Sequence, residues 1–177
     1  HMKNLEIYIH IPFCVRKCEY CDFLSFPADD DAKLRYVKGL MAEMIFYGPL
    51  MKNYQVSSVY IGGGTPSSID EQWIAALMEG VFDCFNVLPD AEISIECNPG
   101  TLSREKLLAY RDAGINRLSI GLQSANNDEL KLLGRIHTFE QFVTNYEVAR
   151  NVGFKNINVD LMYGLPGQSA SQYMATV

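Results

Sequence analysis

Three of the five cysteines lie within eight residues, in the order Cys14-Val-Arg-Lys-Cys18-Glu-Tyr-Cys21. Thiolates are soft ligands, and a tight cluster of them suits zinc or an iron–sulfur centre. A structural zinc site normally has four ligands, often as two CxxC or His pairs, and no second pair follows in this chain. Three cysteines on a four-iron cluster leave one iron open to a small ligand. The missing fourth ligand argues against zinc, but on spacing alone an iron–sulfur centre and a zinc-stapled fold both remain open.

The other two cysteines, Cys84 and Cys97, are interpreted as buried small hydrophobic side chains. An odd cysteine count without a secretory signal fits a reducing compartment, so we expect a cytoplasmic protein. The 177 residues are 48% hydrophobic and 20% charged, which is typical of a globular domain. The net charge of −6 argues against phosphate-driven nucleic-acid binding. No apolar run approaches the ~20 residues of a membrane span, so no transmembrane segment is expected.

The elements that must position the cysteines alternate between strands and helices. Strands are predicted at Leu5–Ile11, Val56–Ile61, Ala91–Glu96, Arg117–Gly121 and Asn156–Met162. Helices are predicted at Ala32–Tyr47, Asp70–Phe85, Ser103–Ala113, Asn127–Leu133 and Phe139–Val152, and another begins at Ser169. This alternation predicts an α/β fold with a parallel sheet.

Each predicted strand has one aliphatic face and one polar or small face. In the first strand, for example, Ile7, Ile9 and Ile11 alternate with Tyr8 and His10. A doubly wound sheet is covered by helices on both sides and should be apolar on both. The pattern therefore favours a barrel whose polar face lines the interior. The polar side chains concentrate near the carboxyl ends of the strands, where barrel active sites lie.

Six motifs resemble those of one known family, in the family's order. They are Tyr8-Ile-His-Ile-Pro-Phe-Cys14, Gly62-Gly-Gly-Thr65-Pro66-Ser67, Glu96-Cys-Asn-Pro99, Gly121-Leu-Gln123-Ser124, Gly134-Arg135-Ile-His137 and Asp160-Leu-Met-Tyr-Gly164-Leu-Pro166-Gly167. The cysteine spacing resembles the cluster motif of the radical S-adenosylmethionine (SAM) enzymes. The full set is similar to the oxygen-independent coproporphyrinogen oxidase family, from Leu5 to about Gln168.

The resemblance implies that Cys14, Cys18 and Cys21 hold a 4Fe-4S cluster whose open iron chelates SAM. In that family, an electron entering the cluster cleaves a carbon–sulfur bond of SAM and yields methionine and a 5′-deoxyadenosyl radical. The resemblance and the polar strand face together suggest nine SAM-binding positions. These are Tyr8, Tyr20, Gly63, Gly64, Thr65, Glu96, Gln123, Arg135 and Asp160.

The expected roles of these positions differ. The glycine turn lets the backbone approach the methionyl end of SAM, and Glu96 accepts from the ribose hydroxyls or the amine. Gln123 and Asp160 are expected at the ribose, and Tyr20 packs on the adenine. Arg135 is assigned to the SAM carboxylate by resemblance alone. Each assignment has an alternative. The glycines could form a plain tight turn, the polar residues could be satisfied by local hydrogen bonds, and Tyr20 could pack within its loop. His10 could equally be a satisfied interior residue.

The family has two branches, and one position distinguishes them. The oxidases carry a further cysteine two residues after the third cluster ligand, where this chain has Phe23. Phe23 favours the HemW-type branch, whose members are heme-binding chaperones, and the oxidase activity is the alternative. The implied partners are heme or a porphyrinogen, with a reduced flavodoxin- or ferredoxin-type protein as electron donor.

The domain prediction follows from the strand count and the resemblance. His1-Met2 is interpreted as a cloning scar, and residues 3–177 are expected to form a radical SAM domain. A closed barrel of this type has about eight strands, whereas radical SAM barrels commonly have six. We therefore expect a partial TIM-like (β/α)₆ barrel, truncated after about five β/α units and without its C-terminal region.

Overall fold

The computed structural model describes residues 2–16, 18–22 and 24–177. Within these ranges, five parallel strands form one sheet in the order β1-β2-β3-β4-β5. They are β1 (Lys3–Ile11), β2 (Tyr54–Gly63), β3 (Val87–Cys97), β4 (Arg117–Gln123) and β5 (Asn156–Leu161). A doubly wound sheet reverses its strand order at a switch point, and this sheet does not. The prediction of a partial α/β barrel is confirmed.

Helices connect the strands, as the alternating pattern predicts. In the described ranges they are α1 (Asp30–Tyr47), α2 (Glu71–Cys84), α3 (Arg104–Asp112), α4 (Asn127–Leu132), α5 (Phe139–Asn151) and α6 (Ala170–Thr176). Side chains cap the N-termini of these helices. At α2 the Asp70 carboxylate accepts from the backbone N–H of Gln72, and at α3 the Ser103 hydroxyl accepts from the backbone N–H of Lys106. Along the described part of the chain, no helix combines the length and apolarity needed to cross a membrane.

The elements occur where they are predicted, with small shifts in their bounds. The largest shift is in β3, which begins at Val87 rather than Ala91. Val87 pairs with Val56 of β2, and the pairing resumes at Glu92 opposite Ser58 after an irregularity in the register. Pro89 and Asp90 interrupt the β-rich pattern before Ala91, so the alternation does not reveal this extension.

The two faces of the sheet differ as the alternation predicts. Ile9 and Ile11 of β1 and Ile61 of β2 are buried in the hydrophobic core, together with Leu77 of α2. The opposite face carries polar side chains that bond across the strands, such as the hydroxyl of Tyr60 with the carboxylate of Glu96. The helices therefore cover the aliphatic face, and the polar face is available for a site.

Candidate functional site

A cavity of about 410 Å³ lies at the carboxyl ends of the strands. Its lining includes the three clustered cysteines and eight of the nine predicted SAM-binding residues, with Tyr8 as the exception. The lining residues among the predictions are Cys14, Cys18, Cys21, Tyr20, Gly63, Gly64, Thr65, Glu96, Gln123, Arg135 and Asp160. Residues that are far apart in sequence thus meet at one site.

The cysteine loop follows β1 and closes one side of the cavity. Cys14 is buried, Cys18 and Cys21 are half-buried, and none is in a disulfide. The backbone N–H of Glu19 donates to the carbonyl of Leu133 at 3.2 Å, which ties this loop to the end of α4. Among the described residues, no three His, Cys, Asp or Glu side chains are arranged to hold a metal ion. The three thiols therefore share a cavity without forming a ligand geometry.

The glycine turn after β2 packs against the cysteine loop. Gly64 donates its N–H to the carbonyl of Ile11 at 2.8 Å, and Thr65 donates to that of Phe13 at 2.7 Å. A Cβ on Gly64 would lie 2.6 Å from the Phe13 carbonyl oxygen. Gly63 has a φ of +119°, in the region that favours glycine. The glycines thus allow the close approach of two protein loops, a requirement that exists without any ligand.

Glu96, at the end of β3, is held on both carboxylate oxygens. The hydroxyl of Tyr60 donates to Oε1 at 2.9 Å, and the N–H of Gly63 donates to Oε2 at 3.0 Å. Partial burial, followed by the hydrogen bond and charge of Glu96, raises the pKa of Tyr60 to about 12. The Tyr60 hydroxyl therefore remains a donor at neutral pH. Sequence reasoning missed this contact, although Tyr60 lies on the polar face of its strand.

Two further predicted residues come from β4 and β5. Asp160 is exposed on β5, and it accepts from the Ser119 hydroxyl at 3.1 Å and from Nδ2 of Asn158 at 2.7 Å. Gln123 ends β4 with a φ of +72°, and the strand register shifts between Gly121 and Gln123. This irregularity lets Gln123 line the cavity at the point where the strand ends.

Arg135 follows α4 and reaches back over the end of β4. Its Nη2 donates to the Gly121 carbonyl at 2.6 Å and to Oδ1 of Asn98 at 2.9 Å. Its Nη1 lies 3.3 Å from the Tyr20 hydroxyl and 3.9 Å from Sγ of Cys18. Resemblance alone predicted a role for Arg135, since it lies outside any strand. The structure brings its guanidinium to the cavity.

Tyr8 lies outside the cavity lining, and its role at SAM stays a prediction. Its side chain is 58% exposed, and its ring stacks on that of Tyr60 with centroids 6.2 Å apart. Its hydroxyl lies 3.0 Å from Nδ1 of His10, and Nε2 of His10 lies 3.2 Å from the Leu24 carbonyl. A carbonyl only accepts, so Nε2 carries a hydrogen, and in the neutral imidazole Nδ1 accepts from Tyr8. Both ring nitrogens of His10 are thus satisfied locally.

The remaining cysteines behave differently from each other. Cys97 is buried, and burial raises the pKa of its thiol, so the thiol stays protonated even though it borders the cavity. Cys84 is half-buried at the end of α2, partly against the expectation of full burial. Phe23, the residue that separates the two family branches, lies outside the described residues.

The chemistry of the residues present suits a thiolate-held cluster, although the described side chains are not arranged as a ligand set. Three free thiols adjoin an open cavity, and the guanidinium beside Cys18 offers positive charge to a thiolate. The Nε of Arg135 is also buried without a partner among the described residues, so one N–H donor of the site is unpaired there. The fold and this cavity define an α/β barrel protein with three free thiols around a cavity at the carboxyl ends of its strands.

Residues 8–177 match the Radical SAM superfamily, and the chain belongs to it. Membership implies a 4Fe-4S cluster and SAM. The chain is 40% identical over 174 residues to the heme chaperone HemW of Escherichia coli (strain K12), covering 95% of this chain and 45% of that protein. It is 40% identical over 163 residues to the heme chaperone HemW of Bacillus subtilis (strain 168), covering 92% and 43%.

A solved structure is similar as well. Coproporphyrinogen III oxidase (HemN) from Escherichia coli, a radical SAM enzyme, superposes with a TM-score of 0.90 at 34% identity. The match covers 99% of this chain and 40% of that one. The chain thus spans less than half the length of these relatives.

Proposed function

We propose that residues 3–177 are the SAM-binding domain of a HemW-like heme chaperone. The observation that carries the proposal is the cavity in which three cysteines and eight predicted SAM-binding residues meet. Cys14, Cys18 and Cys21 would hold the 4Fe-4S cluster, which when bound supplies the electron for reductive cleavage of SAM. The protein's own part is to bind and orient the cofactors and to keep water out.

The side chains of the cavity divide this work by charge and hydrogen-bonding type. Arg135 and Thr65 provide donors for the carboxylate of SAM, and Glu96 provides an acceptor for its amine or ribose. Asp160 and Gln123 face the ribose, since a carboxylate and an amide suit its hydroxyls. Tyr8, Gly63 and Gly64 would complete the methionyl side, and Tyr20 would pack on the adenine.

The chaperone function is favoured over oxidase activity by the comparisons. Identity is 40% to the two heme chaperones and 34% to the oxidase. Phe23, where the oxidases carry a cysteine, agrees with this preference. The full protein would bind heme, receive electrons from a reduced flavodoxin- or ferredoxin-type protein, and work in the cytoplasm. Its net charge of −6 does not suit nucleic acid as a partner.

Anaerobic reconstitution with iron and sulfide tests the cluster. We expect about four irons and four sulfides per chain, a broad visible absorption and an EPR signal on reduction. Serine substitutions at Cys14, Cys18 and Cys21 should each abolish the signal, and Cys84→Ser serves as the matched control. Binding of zinc alone, without iron or an EPR signal, would contradict the proposal.

A second experiment separates the chaperone from the oxidase. Heme added to the full-length protein should shift its Soret band, and the protein should not convert coproporphyrinogen to protoporphyrinogen. Formation of protoporphyrinogen with consumption of SAM and reductant would establish the oxidase instead.

A further inference from the structure

Asn98, in the turn after β3, contacts two residues of the proposed SAM site. Its Nδ2 donates to Oγ1 of Thr65 at 3.1 Å, and its Oδ1 accepts from Nη2 of Arg135 at 2.9 Å. A guanidinium has donors only, so the oxygen of the amide must face Arg135 and its NH₂ must face Thr65. Thr65 Oγ1 therefore accepts from Asn98, and the hydrogen of its hydroxyl remains available for another acceptor.

The backbone of Asn98 is fixed by a closed ring of hydrogen bonds. Its N–H donates to Oγ of Ser67 at 3.0 Å, and the hydroxyls of Ser67 and Thr101 are 2.6 Å apart. The Thr101 hydroxyl donates to the carbonyl of Asn98 at 2.6 Å, so the Ser67 hydroxyl donates to Thr101. Because Ser67 is fully buried, this ring holds the turn that carries the Asn98 side chain.

Arg135 has one donor left after its contacts are counted. Both hydrogens of Nη2 are used, by Gly121 and by Asn98. Nη1 faces Tyr20 and Cys18, whereas the buried Nε has no partner among the described residues. The Nε hydrogen of Arg135 and the hydroxyl hydrogen of Thr65 are thus two donors that no described residue uses, on side chains that border one cavity.

We propose that Asn98 is a positioning residue that aims these two donors at the carboxylate of SAM. The proposal rests on the SAM site proposed above. Asn98 also borders the cavity and acts through these two neighbours. Its oxygen fixes the plane of the guanidinium, and its NH₂ occupies a lone pair of Thr65 Oγ1 and leaves the hydroxyl hydrogen free to donate. A carboxylate is the acceptor that such a pair fits, since it has two oxygens and no hydrogens.

The test compares two ligands on the anaerobically reconstituted protein. SAM has the carboxylate, whereas decarboxylated SAM keeps the adenosine, the sulfonium and the amine without it. We expect Asn98→Ala to weaken SAM binding about tenfold and to change binding of decarboxylated SAM less than twofold. The EPR line shape that SAM induces in the reduced cluster should shift in the same variant. Asn53→Ala, at an exposed turn before β2, is the control and should leave both affinities unchanged.

Asn98→Asp is the isosteric variant and guards against a simple folding defect. Its carboxylate keeps the acceptor for Arg135, yet it accepts the Thr65 hydrogen and competes with SAM for the guanidinium. We expect it to weaken SAM binding at least as much as Asn98→Ala, with no loss for decarboxylated SAM.

The outcomes separate this proposal from the one on which it rests. Wild-type affinity for SAM in both Asn98 variants would overturn the positioning role and leave the SAM site standing. An equal loss for both ligands would indicate a structural role and would also overturn it. Failure of the wild-type protein to bind SAM would overturn both proposals.

Discussion

The hydroxyl of Ser124 lies 2.5 Å from Oε2 of Glu129, and both side chains are buried. Nε2 of Gln168 donates to the same oxygen at 2.9 Å. Ser124 follows β4, Glu129 is in α4 and Gln168 precedes α6, so one carboxylate joins three segments around the mouth of the barrel. The other oxygen, Oε1, is buried without a partner in the described residues.

Removal of this carboxylate should destabilise the fold. Glu129→Ala leaves the Ser124 hydroxyl and the Gln168 amide without their acceptor, and hydrogen bonds to a charged group contribute roughly 1.5–3 kcal/mol. We expect the free energy of unfolding in urea to fall by about 2–3 kcal/mol. Glu147→Ala, on the exposed side of α5, should change it by less than about 0.5 kcal/mol. Equal stability of the two variants would show that the carboxylate contributes nothing.

Two glycines should respond in opposite directions to the same substitution. A Cβ on Gly64 would meet the Phe13 carbonyl oxygen at 2.6 Å, and the Phe13 backbone and the Cβ of Ser25 leave little room to adjust. Gly64→Ala should therefore lower the free energy of unfolding by about 1–3 kcal/mol, the usual cost of overpacking. It should also weaken cluster retention, because the cysteine loop packs on this turn.

Gly39 is the matched control, since it lies within α1 and a Cβ added there would meet no atom within 4 Å outside its own helix backbone. Gly39→Ala should stabilise the protein by roughly 0.5–1 kcal/mol, because alanine is the better helix former. The changes in the free energy of unfolding of both variants are measured by urea unfolding at one pH. A destabilising Gly39→Ala would contradict this account of α1.

The sequence predicted the site residues that lie on the alternating polar face of the strands. It missed the residues that lie in turns. Glu96 and Asp160 could be assigned because alternation puts them on the polar face. Asn98 and Glu129 gave no such signal, since their positions depend on how separate turns meet. Resemblance identified Arg135, but its contact with Asn98 depends on the length of α4 and on the turn at Gly134, which no periodic pattern contains.

Tyr60→Phe should weaken SAM binding without unfolding the protein. The substitution removes only the hydroxyl that donates to Oε1 of Glu96, and the N–H of Gly63 still holds Oε2. A hydrogen bond to a charged group contributes roughly 1.5–3 kcal/mol to folding, and because this one exists before SAM binds, only part of it affects the affinity. A loss of roughly three- to tenfold in affinity is expected. Anaerobic calorimetry measures it, with Tyr54→Phe in the same strand as the control. Unchanged affinity would show that Glu96 is oriented without Tyr60.

His137 should make stability fall in mild acid. Its side chain is only 4% exposed, and its Nε2 lies 3.2 Å from the Leu122 carbonyl. Burial, with a smaller effect of the nearby Arg135 charge, lowers the pKa of His137 from 6.5 to about 4. The unfolded chain therefore binds a proton more readily than the folded protein between these two values. Its contribution to stability is complete above pH 6.5 and is lost as the pH falls towards 4.

We expect this histidine to account for up to about 3 kcal/mol of the difference in unfolding free energy between pH 7 and pH 4. His137→Gln removes the titrating group and keeps an amide that can donate to Leu122. The variant should be less stable than the wild type at pH 7, yet its stability should fall less steeply between pH 6.5 and 4. Urea unfolding at four or five pH values gives both slopes. Parallel slopes would mean that His137 is protonated in the folded protein as readily as in the unfolded chain.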